Sequence, residues 1–255
     1  MAALALAHGA TIAVACSSFE GAPAETPASD AAAETSPPAN DAGGDAATAD
    51  GARGCDVVVN TDFANGPVPP GFEREVEDGG SLARVDGGAL EATSVGGAAA
   101  SIYRKLPLTG DASIRLAYAI EAPPPDTYVE MGCWIGMHQG DTESTYLLVG
   151  VTPDSVRLDE YQVFPDGGES GAAEPLPLFP TGAGWHRVEV EVPSVASGAR
   201  TATLIVDGAK LTYDFTLNGP TKLVHVQCGI GYMPDQTSVT KTVRVDDVRL
   251  EICPR

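Results

Sequence analysis

The chain has 255 residues, 43% of them hydrophobic and 6% aromatic, with a formal net charge of −20. A length of this order holds one large domain or two small ones. The charge excludes the basic footprint that nucleic acid demands, and with it an electrostatic hold on anionic lipid.

The first sixteen residues, MAALALAHGATIAVAC, are apolar and carry no acid. The run has the length of a signal-peptide core and is too short to span a bilayer. Its end, Ala13-Val14-Ala15-Cys16, resembles the lipobox of bacterial lipoproteins. There, small residues precede a cysteine that is lipidated and becomes the mature N-terminus. The resemblance implies lipidation of Cys16 and, with Ser17 after it, sorting to the outer membrane. A cleaved secretory signal and a plain apolar terminus remain as alternatives. Residues 17–54 then hold seven acids, one base (Arg53) and almost nothing large and apolar except Phe19. Such a segment buries too little surface to offset its ordering entropy, so it is expected to be a disordered tether with an r.m.s. reach of about 35 Å.

Four cysteines remain once Cys16 is set aside: Cys55, Cys133, Cys228 and Cys253. An even number in an exported chain points to disulfides, and four allow three pairings. The favoured pairing joins Cys55, which opens the folded region, to Cys253, which nearly closes the chain. That leaves Cys133 with Cys228. No two cysteines lie close enough in sequence to form a metal-binding pair.

From Cys55 onward there is no convincing amphipathic helix. Short β-rich runs alternate with turn residues: 56–60, 81–85, 89–94, 100–106, 113–120, 129–137, 145–151, 155–164, 186–192, 201–207, 210–215, 222–232 and 241–252. This spacing predicts an all-β sandwich or barrel. Asp207-Gly208 and Pro153-Asp154 read as tight turns between strands. In the last run the apolar phase is Val243, Val245, then Val248, Leu250, Ile252, and the slip at Asp246-Asp247 predicts a β-bulge.

Two of these runs carry a family resemblance. Trp185-His186-Arg187-Val188-Glu189-Val190, followed by Thr203-Leu204-Ile205-Val206-Asp207-Gly208, is similar to a strand pair of concanavalin A-like and laminin-G-like domains. Val245-Asp246-Asp247-Val248-Arg249-Leu250 looks like their closing strand. The resemblance spans residues 55–255 in outline. It implies a jelly roll of two antiparallel sheets with adjacent terminal strands, which suits a Cys55–Cys253 bridge, and it places Trp185 in the core. Some relatives bind calcium, for which Asp141, Glu143, Asp166 and Glu169 lie in loop-like stretches, and solvated loop acids are the plainer reading.

Relatives of the fold include glycosidases, lyases and lectins, so function rests on the site. The glucanase branch carries its two carboxylates in an E-x-D-x-E strand, which is absent here. Asp159-Glu160 and Asp246-Asp247 are consecutive and point to opposite faces of a strand. There is no G-x-S-x-G elbow, no H-E-x-x-H and no phosphate loop. These absences lead to the expectation of a protein that is not an enzyme and has no cofactor, calcium being the one metal left open.

One stretch points to a binding face. In VEMGCWIGMHQG, residues 129–140, the phase Val129, Met131, Cys133, Ile135, Met137 suits a core. The opposite phase is Glu130, Gly132, Trp134, Gly136 and His138. Downstream, Val224, Val226, Cys228 and Ile230 alternate with His225, Gln227, Gly229 and Gly231. If Cys133 and Cys228 bridge neighbouring antiparallel strands, Trp134 lies beside Gln227, Gly136 beside His225 and Gly132 beside Gly229. The outer face then holds Glu130, Trp134, His138, His225 and Gln227 among glycines, with Tyr146 and Tyr161 as extensions. A ring on a glycine floor with polar neighbours suits a sugar. In concanavalin-like domains a concave sheet face often carries the ligand. The alternative is that loop 165–184 covers Trp134 and completes a satellite core.

The reading is an outer-membrane lipoprotein: signal 1–16, tether 17–54 and a jelly-roll sandwich at 55–255. Its expected role is a non-catalytic carbohydrate-binding or adhesion module, held to the membrane by its lipid and meeting a glycan or an envelope protein. A protein-interaction domain with no small ligand and a carbohydrate-active enzyme are the rivals.

Overall fold

The structure is a computed structural model, described here for residues 54–123, 132–166, 168–171, 178–231 and 240–255. Among the described residues the regular elements are sixteen antiparallel strands and one short 3-10 turn at Asp86–Gly88. The strands are β1 Asp56–Thr61, β2 Glu73–Val76, β3 Gly80–Val85, β4 Ala89–Val95, β5 Ala100–Pro107, β6 Ala112–Glu121, β7 Cys133–His138 and β8 Ser144–Val151. They continue as β9 Ser155–Val163, β10 Glu169–Gly171, β11 Leu178–Pro180, β12 Trp185–Val192, β13 Gly198–Val206, β14 Ala209–Leu217, β15 Leu223–Ile230 and β16 Thr240–Pro254.

They build two sheets. Sheet A runs β14-β13-β12-β6-β16-β4-β3, with β1 also on β16. Sheet B runs β10-β9-β8-β7-β15-β5-β2, with β11 also on β9. The alternation read from the sequence turns one phase of the longer strands inward. Leu116, Tyr118, Ile120, Val188, Val190 and Leu250 of sheet A meet Ile102, Ile135, Met137, Leu147, Val226 and Ile230 of sheet B in one core, all close to fully buried. Tyr118 is the largest of these, and its hydroxyl donates to the Cys133 carbonyl across the core at 3.4 Å.

Both disulfides join the expected pairs, Cys55–Cys253 and Cys133–Cys228. β1 lies against β16, Asp56 opposite Ile252, so the first and last strands are indeed neighbours. The bulge falls where the phase slipped. The register between β16 and β6 shifts between Asp246 and Arg249, with Asp247 in the left-handed region at φ 49°. It returns Val248, Leu250 and Ile252 to the core after Val245. Asp207 and Gly208 also take positive φ, 50° and 85°, which gives the tight hairpin of β13 and β14.

Trp185 departs from expectation. It begins β12 opposite Glu121 but belongs to the outward phase and is 45% exposed. His186, not Trp185, is the inward residue of that pair, at 8% exposure. Three strands went unread. β2, Glu-Arg-Glu-Val, has no apolar alternation and is exposed throughout, and β10 and β11 have three residues each.

Candidate functional site

The register of sheet B brings five aromatic and imidazole side chains together on its outer face. Gly136 of β7 sits between His225 of β15 and Tyr146 of β8, directly opposite both. His225 pairs onward with Lys105 of β5, and Tyr146 with Tyr161 of β9. The neighbouring row reads Glu73, Tyr103, Gln227, Trp134, Leu148 and Asp159. Ring contacts run without a break across the face. Tyr103 to His225 is 5.4 Å between centroids, His225 to His138 5.8 Å, His138 to Tyr146 5.7 Å and Tyr146 to Tyr161 6.1 Å.

Gly136 makes this possible by having no side chain. A Cβ there would lie 2.8 Å from Tyr146 Cε1 and 3.3 Å from the Cβ of His225. The rings of β8 and β15 close over the space a larger residue would fill. Beneath the face, Cys133–Cys228 ties β7 to β15 on the core side, and both sulfurs' residues are fully buried.

Electrostatics separate the two histidines from an ordinary surface pair. Burial, then the nearby His138 and Lys105, push the His225 imidazole down to about 4. Burial and Lys105 lower His138 in the same direction. Both rings are therefore neutral at pH 7. His138 Nδ1 lies 2.7 Å from Ser144 Oγ, while the Nε2 atoms of His138 and His225 are buried with no hydrogen-bond partner. Enclosed, unpaired polar atoms cost about 1–3 kcal/mol each, so each calls for a partner such as an ordered water, an ion or a ligand. The phenols divide. Tyr103 donates to Glu73 at 2.6 Å, and this bond first, then burial, raises its pKa. Burial and Glu169 hold Tyr161 up at about 12.

The residues foreseen for the face are placed as follows. Trp134 lies beside Gln227, Gly136 beside His225, and the Gly229 N–H donates to the Gly132 carbonyl at 2.8 Å. Trp134 is only 6% exposed, so it is a wall and not an open platform. Gln227 is buried as well, donating to Ser101 Oγ at 2.6 Å and to Glu75 at 3.0 Å. Glu130 and much of loop 165–184 lie outside the described residues, as does Cys16. The described parts of that loop supply β10 and β11, and Glu169 of β10 reaches the hollow beside Trp134. The four loop acids do not form a metal centre: Asp166 accepts from the Gly168 N–H at 2.9 Å, and no group of three or more metal-ligating residues exists among the described residues.

Sequence reasoning missed Tyr103, Lys105, Arg74 and Glu75. All four come from β5 and β2, the strands on the far side of β15. Nothing in the sequence tells that these strands lie there. A pairing of β15 with β5 was not foreseen, and only Cys133–Cys228 offered a register.

No protein-family model matches the chain, and no curated protein matches it in sequence. Solved structures do. An endo-β-1,4-glucuronan lyase from the fungus Trichoderma reesei is 14% identical, covering 78% of this chain and 96% of its own, with a TM-score of 0.51. A family 7 alginate lyase variant in complex with substrate is 12% identical, covering 68% of this chain and 82% of its own, with a TM-score of 0.50. The fold is the concanavalin A-like jelly roll.

These neighbours correct the expectation of a non-catalytic module that is not an enzyme. The missing E-x-D-x-E strand removes only the glucanase signature. It does not exclude catalysis on this fold, because a lyase removes a proton and needs no nucleophilic carboxylate. The two disulfides fit an exported protein, extracellular or periplasmic. Among the described residues no helix is long and apolar enough to cross a membrane.

Proposed function

We propose that the chain is a polysaccharide lyase that cleaves a uronate-containing glycan by β-elimination on the outer face of sheet B. The observation that carries this reading is the placement of a neutral His225 and of Tyr146 on either side of Gly136, with Lys105 next to His225. The fold shared with a glucuronan lyase and an alginate lyase supports it.

The chemistry asks for three groups. A cation and hydrogen-bond donors must stabilise the uronate carboxylate, which acidifies C5. Lys105 is suited to this, since its charge is already felt at both histidines. A base must take the C5 proton, and the neutral imidazole of His225, which lines a hollow together with Lys105, serves. An acid must protonate the departing O4. Tyr103 already donates to Glu73, which leaves Tyr146, one strand from Gly136, for that role. As the C5 proton moves to His225, the freed electron pair forms the C4–C5 double bond. The C4–O4 bond breaks, and O4 takes the Tyr146 proton.

The test is the appearance of unsaturated uronate ends, followed by ultraviolet absorbance, when the exported chain meets uronate polysaccharides. Loss of the product in both His225→Ala and Tyr146→Phe, with unchanged melting temperatures, is the expected result. Cleavage without unsaturated ends, or full activity in both variants, overturns the proposal.

The anchoring forms a second part of the reading. Cys16 carries lipid, residues 17–54 act as a tether, and the enzyme sits at the outer membrane. The leader ending at Ala15-Cys16 and the oxidised cysteines support this. Metabolic labelling with an alkyne fatty acid should mark the wild type and not Cys16→Ser; equal labelling removes the lipid anchor from the reading.

A further inference from the structure

The face of sheet B is divided into two hollows of opposite character. On the β5 side, a hollow of about 290 Å³ is lined by Arg74, Tyr103, Lys105 and His225. On the β8 side, a hollow of about 500 Å³ is lined by Trp134, Tyr146, Leu148, Tyr161 and Val163, with Glu169 at its rim. Glu75 borders both. Beyond that shared acid, the first hollow adds two cations. Among the described residues the second adds a carboxylate, the Gln227 amide and no cation, and its remaining side chains are rings and aliphatic carbon. The nearby Asp159 brings no net charge, since Arg157 pairs with it at 2.7 Å.

The base and the acid of the proposed elimination fall in different hollows. His225 belongs to the cationic one and Tyr146 to the apolar one. In such an elimination the sugar that loses its C5 proton is the uronate. The sugar that departs on O4 lies on the acid's side. The uronate therefore occupies the cationic hollow, and the departing sugar lies against Trp134, Leu148 and Val163 beside Glu169. A carboxylate there would meet Glu169 and Glu75 with no cation to offset them. A neutral sugar, above all one bearing a methyl or acetyl group, meets apolar walls.

From this division we infer that the substrate is a heteropolysaccharide in which a neutral sugar is attached to O4 of each uronate, and not a homopolymer of uronate. This rests on the lyase reading of the same face.

The experiment measures release of unsaturated ends by the full exported chain from four probes. Polyglucuronate and polymannuronate are the homopolymers; hyaluronan and unsulfated chondroitin alternate glucuronate with an N-acetylhexosamine. The expected result is a kcat/KM at least tenfold higher on an alternating polymer. Glu169→Lys should narrow that gap by raising the homopolymer rate several-fold, and Glu169→Gln should do so to a smaller extent. Homopolymer cleavage by the wild type equal to or above that on both alternating polymers overturns the inference and leaves the lyase reading standing. A preference that is the same in wild type and both Glu169 variants overturns it too, because the acidic rim then selects nothing. No unsaturated ends from any probe sinks the lyase reading and this inference with it.

Discussion

His225 and Tyr146 belong to strands that are not neighbours, yet they flank the same residue, Gly136, across one strand on each side. Their approach is set by the absence of a side chain between them. A Cβ on Gly136 would stand 2.8 Å from the Tyr146 ring, closer than carbon atoms tolerate, so the ring must turn aside.

Gly136→Ala is therefore a test of positioning. Tyr146 is half-buried and the clash falls on its side chain and not on backbone, so the sandwich accommodates the methyl at modest cost. The displaced phenol no longer addresses O4. A shift of about 1 Å in a reacting group costs about a hundredfold in rate. The expected outcome is a fall in kcat of tenfold or more with KM and melting temperature little changed. A variant with wild-type kcat would show that the spacing of these two rings is irrelevant to the reaction.

The pH dependence of activity follows from the state of His225. Burial, His138 and Lys105 hold its imidazole down to about 4. It stays neutral, and able to accept a proton, down to that region instead of the ordinary 6.5. The acid limb of kcat/KM should lie well below pH 6.5. Lys105→Gln removes one of the causes, and the limb should move upward along with a rise in KM. A limb at pH 6.5 in the wild type would take the base role from His225. The same shift acts on stability. The unfolded chain binds this proton near 6.5 and the folded chain only near 4, so the contribution is present above 6.5 and is lost as pH falls through that interval.

His186 titrates with the opposite sign. Burial works against its charged form, but the Asp207 carboxylate at 2.7 Å and the Gly182 carbonyl at 2.8 Å outweigh it and raise the pKa. With acceptors on both ring nitrogens, the charged ring is stabilised relative to the neutral one. Its folded pKa lies above the unfolded 6.5. The stabilisation is complete below 6.5 and fades as pH rises through the folded value. Denaturant unfolding of His186→Gln should show a smaller loss of stability between pH 6 and 8 than the wild type. Parallel curves would mean that the pair carries no proton linkage.

Much of this was legible in the sequence because it is periodic. Most strands, the Asp207-Gly208 turn and the bulge at Asp246-Asp247 come from local alternation and turn chemistry, while the two disulfides come from cysteine parity together with the places of Cys55 and Cys253 at the ends of the folded region. The placement of Trp134 by Gln227 and of Gly136 by His225 followed from one assumed bridge, which fixes register between two strands. Lys105, Tyr103 and Arg74 stayed hidden because a sequence does not state which strand lies on the far side of β15. Trp185 was misjudged for a different reason. A tryptophan at a strand's first residue can take either face, and here the inward place goes to His186, held by Asp207. The proposed lyase chemistry has no motif to find, since a histidine and a tyrosine on separate strands have no fixed spacing.

The Cys133–Cys228 bridge lies directly beneath the site and joins the two strands that carry Gly136 and His225. It is wholly buried, so its loss leaves a packing defect as well as a freer unfolded chain. Cys133→Ala with Cys228→Ala should cost about 3–5 kcal/mol in denaturant unfolding. The Cys55–Cys253 bridge closes a longer stretch of chain, 198 residues against 95, but it ties β1 to the end of β16 away from the face. Its removal should cost stability of a similar order. The two variants should then part company in kinetics measured well below their melting temperatures. Without Cys133–Cys228, β7 and β15 lose the link that fixes their spacing, and kcat should fall. Without Cys55–Cys253, kcat should stay near the wild-type value. Equal kcat in both variants would mean that the backbone pairing of β7 with β15 alone holds the face in register.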